Sequence, residues 1–130
     1  ITLVGDGEQM RDYVYVTDVA KAFIKISMLK KVNQETFNLG SGRPISIKYL
    51  ISKLCSKNYK IIKLPRRPAE PQITHANITK IKKLTGWKPE ISFDEGLSRM
   101  KQNINYWSNS KLWTKKNIDK HTKNWFKYLA

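Results

Sequence analysis

The chain has 130 residues, 40% of them hydrophobic, with 25 basic against 10 acidic side chains and a net charge of +15. This length supports one domain with a core of its own, and the scatter of glycine and proline argues against a low-complexity chain. No apolar run reaches bilayer-spanning length, no signal peptide is visible, and the single Cys55 precludes an internal disulfide and fits a reducing, cytoplasmic setting.

The charge is unevenly placed. Residues 1–40 carry five basic and five acidic groups, residues 41–80 nine against one, and residues 81–130 eleven against four. Such an excess invites a reading as a basic binding module for nucleic acid or another polyanion. Twenty of the basic residues are lysines spread singly along helix surfaces, with no RNA-stacking signature or helix-turn-helix pattern beside them. The dispersal favours a solvated surface, and the polyanion module stands as the alternative.

The sequence starts at Ile1, already inside an apolar run, which reads as a piece of a longer protein. Ile1–Val4 is expected to form a strand ended by the Gly5-Asp6-Gly7 turn. Tyr13–Val16, aromatic and β-branched, reads as a second strand. Thr17 is placed to cap a helix running from about Asp18 to Lys30, with Val19, Ala22, Phe23, Ile26 and Leu29 on its apolar face. Thr36–Leu39 alternates as a strand does, with Phe37 and Leu39 on one side and Asn38 on the other. Gly40-Ser41-Gly42 then turns the chain.

Ser46 caps a second helix, striped by Ile47, Leu50, Ile51, Leu54 and Cys55. Tyr59–Leu64 reads as a strand ending at Pro65. Residues 66–71, Arg-Arg-Pro-Ala-Glu-Pro, form a loop held open by prolines and hold the densest local positive charge. Asn77 is the cap of a third helix that Gly86 stops. Ser92 and Glu95 make a capping box for a fourth, with Phe93, Leu97, Met100, Ile104 and Trp107 along one side. Trp113–Ala130 reads as a final amphipathic helix docking through Ile118, Trp125, Phe126 and Leu129.

Little in this pattern supports chemistry within the chain. Tyr49/Lys53 and Tyr59/Lys63 have the Tyr-x-x-x-Lys spacing of a tyrosine base with its lysine, but about one such match is expected by chance in a chain this rich in lysine. Both pairs are set aside. His75 and His121 have no metal-ligand spacing around them. Gly5/Gly7 and Gly40/Gly42 lack both the third glycine and the helix opening that a dinucleotide fingerprint requires. An anion site remains. Arginine forks suit a diphosphate, and Arg11 and Arg67 are the two arginines that lie within the motifs described below. The plain alternative is that each meets a carboxylate, Asp12 for Arg11 and Glu70 for Arg67.

Residues 11–20, Arg-Asp-Tyr-Val-Tyr-Val-Thr-Asp-Val-Ala, follow a Gly-Asp-Gly turn in a pattern similar to the substrate lobe of extended short-chain dehydrogenases. That family includes nucleotide-sugar epimerases and 4,6-dehydratases. Residues 37–42 (Phe-Asn-Leu-Gly-Ser-Gly), 67–70 (Arg-Pro-Ala-Glu), 84–89 (Leu-Thr-Gly-Trp-Lys-Pro) and 93–97 (Phe-Asp-Glu-Gly-Leu) agree in order, so the likeness covers roughly residues 1–105.

The resemblance implies an α/β fold: a small mixed lobe of short strands and about five helices, the C-terminal part of such an enzyme without its Rossmann domain. Residues 1–110 would be the substrate-binding lobe and 111–130 a helical extension. The resemblance further implies NAD(P) held by the missing N-terminal domain, no catalytic residue here, a nucleotide-sugar substrate and a homodimeric full-length enzyme. It assigns the diphosphate to Arg11 and Arg67, and places Ser46, Glu70 and Thr74 close to the ligand. Ala69-Glu70 stands where Gly-Asp is usual, Thr74 where some members have tyrosine, and Leu3 and Val4 match a segment lining the base pocket. It also implies that Ile1–Val4 and the first helix present apolar surface to the missing domain.

Overall fold

The computed structural model describes residues 1–55 and 58–129. Strand β1 (Thr2–Val4) pairs in parallel with β4 (Ile62–Leu64), Thr2 opposite Ile62 and Val4 opposite Leu64. Leu3 and Leu64 are both buried in this ladder, and the Gly5 N–H donates to Leu64 O at 2.9 Å to extend it. Strand β2 (Met10–Arg11) pairs antiparallel with β3 (Ile45–Ser46), Met10 opposite Ser46. On its other side Met10 bridges Ile73 in parallel: its N–H donates to Gln72 O at 2.8 Å and its carbonyl accepts from Thr74 N at 3.1 Å. Met10 is therefore the middle rung of three short extended segments.

Five α-helices are present among the described residues: α1 (Val16–Ser27), α2 (Ile47–Leu54), α3 (Thr79–Thr85), α4 (Phe93–Gln102) and α5 (Lys115–Leu129). This is the mixed α/β lobe the sequence suggested. The core is centred on Ala22, Ile81 and Trp87, with Val14, Ile26, Phe37, Leu39 and Ile78 packed around them. Asp18 is fully buried beside it. Its Oδ2 accepts from the N–H groups of Glu90 and Ile91 at 3.0 and 2.9 Å, and its carbonyl accepts from Trp87 Nε1 at 3.0 Å. One carboxylate thus ties the start of α1 to the approach to α4. Phe93, at the head of α4, lies between Tyr13 and Tyr49 with ring centroids 5.4 and 5.9 Å away.

The helix signals translate directly. The Ser46 side chain accepts from Tyr49 N, Ser92 from Glu95 N, and Gly86 ends α3 in the left-handed conformation at φ 68°. Asn77 Oδ1 accepts from Thr79 N at 3.0 Å, one residue outside the geometric cap at Ile78. The Ser92–Glu95 box is only half formed, because the Glu95 carboxylate turns to Arg99 at 2.6 Å.

Strand signals translate poorly. Tyr13–Val16 is not a strand: Val16 opens α1, and residues 12–15 lie outside any ladder. Thr17 is not the cap; Tyr15 holds that position without a side-chain bond. Helix α1 ends at Ser27, ahead of a 3₁₀ turn at Lys30–Val32, and does not reach Lys30. Residues 36–39 keep the expected alternation, Phe37 and Leu39 half-buried and Asn38 exposed, yet join no sheet among the described residues. Residues 59–61 likewise lie outside β4. β-propensity reports side chains that suit a pleated surface, and a ladder also needs a partner backbone.

Two expectations about exposed surface divide. Helix α1 leaves Val16 (70% exposed), Phe23 (66%) and Ile24 (57%) to solvent, as its C-cap leaves Met28 (76%), so Phe23 does not join the core. Over Ile1–Val4 the expectation holds only in part: Ile1 is exposed, while Leu3 is covered by the chain's own packing. Helix α4 also stops short of Trp107. Asn103 breaks it, its N–H and side-chain amide both reaching back to Arg99 O, and a 3₁₀ turn spans Ile104–Trp107.

Asp12 holds the middle of the lobe together. Its Oδ1 accepts from Ser41 N and Ser41 Oγ at 2.6 and 2.5 Å, and its Oδ2 from Gly42 N and Ala76 N at 3.1 and 3.0 Å. Gly40 is pressed against this bracket: a Cβ there would lie 2.5 Å from the Ala76 Cβ and 2.7 Å from Asp12 Oδ2. Gly40→Ala is accordingly expected to destabilise the fold by about 2–3 kcal/mol, because neither neighbour can retreat. Urea denaturation should show the midpoint falling with an unchanged slope.

Candidate functional site

Of the five residues singled out from the sequence, Arg11, Ser46, Glu70 and Thr74 lie on or beside β2, and Arg67 is on the loop that carries Glu70. Arg11 leaves the strand toward the 66–71 loop. Its Nη2 donates to Glu70 Oε1 at 2.8 Å, and its Nη1 donates to Met10 O at 2.8 Å and Pro71 O at 3.0 Å. Three of the five guanidinium N–H donors are thereby engaged, and the ion pair is half-buried. Arg11 does not pair with Asp12. Consecutive residues of an extended segment project to opposite sides, which sends Asp12 to the 41–42 turn and Arg11 to the loop.

Glu70, the single acid between residues 41 and 80, is the partner of Arg11 and not of Arg67. The Arg67 guanidinium rests over the Trp125 ring of α5, 5.5 Å from its centroid. The two arginines thus share one loop, whose Glu70 N–H donates to Arg67 O at 3.4 Å, while their charged ends meet different neighbours. Ala69 sits at φ 55°, the left-handed conformation that glycine adopts freely. Alanine here retains a glycine-like backbone at a strain of roughly 1–2 kcal/mol.

Ser46 faces Met10 across the β2–β3 pair, and its hydroxyl is occupied as the α2 cap. Thr74 follows the Ile73 bridge on the opposite side of Met10. It borders an open cleft of about 430 Å³ that Asp12, Phe37, Asn38, Leu39, His75 and Ala76 complete. Leu3 is buried and cannot face a ligand directly, whereas the Val4 carbonyl accepts from Gln9 Nε2 at 2.7 Å.

The local electrostatics fit an anion. Arg66 and Arg67 lie on the loop that Arg11 reaches through Glu70, with Asp6 near Arg66 and Trp125 under Arg67. Burial raises the Tyr13 phenol above its ordinary pKa, and the charge of Arg11 offsets this in part. Asp12 does not cancel the positive charge freely, because its oxygens are committed to Ser41, Gly42 and Ala76. Burial pushes its carboxyl upward, and those hydrogen bonds outweigh it and hold the pKa below the usual carboxylate value.

The two glycine turns have other occupations. The amides of Ser41 and Gly42 are taken by Asp12, and the Gly7 carbonyl accepts from Lys48 N at 2.9 Å. Neither turn opens a helix, so these residues do not form a dinucleotide cradle. Tyr49 and Lys53 do meet, but around Asp94: the Tyr49 hydroxyl donates at 3.2 Å and Lys53 Nζ pairs at 3.4 Å. That exposed trio is a surface ion pair.

Residues 1–100 match the profile of the family described as GDP-mannose 4,6 dehydratase. The chain belongs to this family. It is 40% identical over 123 residues to a UDP-glucuronate 4-epimerase from Thermodesulfobacterium geofontis, which covers 92% of the chain and 34% of that protein. Among solved structures it resembles the UDP-glucose 4-epimerase of Thermotoga maritima with UDP-glucose, at TM-score 0.74 and 29% identity over 84% of the chain and 36% of that enzyme. It also resembles UDP-glucuronic acid 4-epimerase from Bacillus cereus in complex with UDP-glucuronic acid and NAD, at TM-score 0.74 and 30% identity over 81% and 35%. The chain spans about a third of the length of these relatives. Within this GDP-mannose 4,6-dehydratase family member, β2, the 66–71 loop and Thr74 all fall inside the matched residues, and α5 falls outside them.

Sequence reasoning did not anticipate the Asp12 bracket or the contact between Arg67 and Trp125. The first had a visible signal, since an aspartate and a Gly-Ser-Gly turn are natural partners. The second had none, because α5 reaches the loop only through tertiary folding.

Proposed function

We propose that this chain is the substrate-binding part of an NAD-dependent nucleotide-sugar epimerase, holding the diphosphate of a UDP-sugar between Arg11 and the Arg67–Glu70 loop. The observation carrying this reading is the placement of Arg11, which Glu70 and the Pro71 carbonyl fix at an arginine-rich loop inside the family match. The relatives named above carry UDP-glucose or UDP-glucuronic acid, which supports uridine over other bases. Ser46 and Thr74 lie on either side of Met10, next to Arg11, Ser46 toward the diphosphate and Thr74 toward the sugar end. Residues 1–110 act as the binding lobe and 111–130 as its helical extension.

Catalytic residues and the NAD(P) site belong, on this reading, to the remaining two-thirds of the enzyme. Two features mark where that polypeptide packs: the apolar face formed by Val16, Phe23 and Ile24 of α1 with Met28 at its C-cap, and the alternating segment 36–39, unpaired among the described residues. Exposed apolar surface of this kind commonly marks a lost partner. Assembly as a homodimer rests on the family resemblance, and a cytoplasmic setting on the single cysteine. No helix among the described residues is long and apolar enough to cross a membrane.

The test is calorimetric titration of the chain with UDP, UDP-glucuronic acid and UDP-glucose, beside the GDP, dTDP and CDP counterparts. Saturable binding of UDP compounds, with free glucuronic acid silent, is the expected result. Equal heats from all nucleotides at low salt, vanishing at 0.2 M salt, would favour the polyanion module.

A further inference from the structure

Helix α5 is almost wholly exposed, with Ile118, Thr122 and Phe126 as a half-buried stripe four residues apart. Among the described residues, the hydrogen bond that joins it to the loop comes from one side chain. Trp125 Nε1 donates to Pro68 O at 2.7 Å, and the same ring carries the Arg67 guanidinium at 5.5 Å. A cavity of about 230 Å³ lies beside this contact, lined by Arg67, Trp113, Ile118, His121 and Thr122. Trp113 folds back edge-on against His121, 5.4 Å between centroids, and closes one side of it. Pro68 and the strained Ala69 form the turn that presents Glu70 to Arg11. The indole therefore grips the same turn that sets the geometry of the diphosphate site.

We propose that α5 is a strap on this loop, and that Trp125 is a positioning residue for nucleotide-sugar binding. Its N–H anchors the Pro68 carbonyl, and its ring parks Arg67 until an anion arrives. The proposal rests on the diphosphate reading above. A diphosphate offers Arg67 charge-assisted hydrogen bonds that an exposed aromatic face cannot match, so the guanidinium leaves the ring while the Pro68 anchor stays. Lys115, Lys116, Lys120, Lys123 and Lys127 along α5, with Asp119 as its single acid, add a positive border to the approach.

Limited trypsin digestion of the 130-residue chain reads the anchor without any ligand. The bond between Arg66 and Arg67 is a cleavage site within the gripped loop, and the bond after Arg67 is protected by Pro68. Mass spectrometry should show cleavage there about tenfold faster in Trp125→Ala. Trp125→Phe keeps a ring for Arg67 but loses the N–H, and should fall between the two. UDP should bind Trp125→Ala about three- to tenfold more weakly than wild type, with Trp125→Phe partly restored. Binding of UDP to wild type that is unchanged in both variants, with equal cleavage at Arg66, would overturn the strap alone. Failure of wild type to bind UDP at all would overturn the diphosphate reading and the strap with it.

Discussion

Asp12→Ala is expected to cost this chain about 2–4 kcal/mol of folding stability, a large share of what a domain of this size possesses. The carboxylate collects four donors from two segments, Ser41–Gly42 and Ala76, which also meet through His75 and the Gly42 carbonyl. Removal leaves three backbone N–H groups unpaired at a half-buried position. Asp12→Asn should be nearly as costly, because an amide nitrogen would face one pair of those donors. The effect has a pH signature. The folded pKa of Asp12 is depressed, so its stabilisation is complete above the unfolded value of about 3.9 and is lost as pH falls through the folded value. The difference in urea midpoint between wild type and Asp12→Asn should therefore shrink below about pH 4. A difference that stays constant from pH 7 to pH 2.5 would refute an ionised bracket.

Arg11→Ala and Glu70→Gln should move UDP affinity in opposite directions. Loss of the Arg11 fork removes one or more charge-assisted hydrogen bonds, each worth roughly 1.5–3 kcal/mol, so UDP should bind tenfold to a hundredfold more weakly. Glu70 now competes for the same guanidinium. Neutralising it leaves Arg11 attached through Met10 O and Pro71 O but frees its charge, and affinity should rise about threefold. Calorimetry at two salt concentrations separates this from a general charge effect, since one added positive unit elsewhere on the lobe would be screened. Weaker binding in Glu70→Gln would instead make Glu70 a clamp that ligand binding needs.

The helix ends marked by Ser46, Ser92 and Gly86 proved legible because their determinants are local, whereas both ends of α1 and the end of α4 were misplaced. Ser46, Ser92 and Gly86 satisfy or release backbone groups within one turn of themselves, so no distant residue decides their role. Strands were overread for the opposite reason. Tyr13–Val16 and 36–39 have the side chains of strands, and the missing ingredient is a second backbone. The site divides in the same way. Arg11 and Arg67 could be chosen from the motif, but their partners could not: Arg11 was nearest in sequence to Asp12 and found Glu70 instead, while Arg67 passed over Glu70 for Trp125. An ion pair is set by which face of the strand a side chain leaves, and that alternation was available from the sequence for Arg11 and Asp12.

The pairing of β1 with β4 has a consequence for synthesis of the protein. Thr2 waits for Ile62, Arg11 for Glu70, Asp12 for Ala76 and Asp18 for Ile91. At translation rates of about 5–20 residues per second, some 73 residues separate emergence of Asp18 from that of its last partner, a delay of roughly 4–15 s. During most of that interval residues 1–27 have only the β2–β3 pair and the Asp12–Ser41 contact to hold them, and helix α1, twelve residues long, is too short to be stable alone. Chaperone dependence during translation should therefore concentrate on residues 1–27, and synonymous slowing of the codons for residues 28–91 should lower soluble yield more than slowing of those that follow.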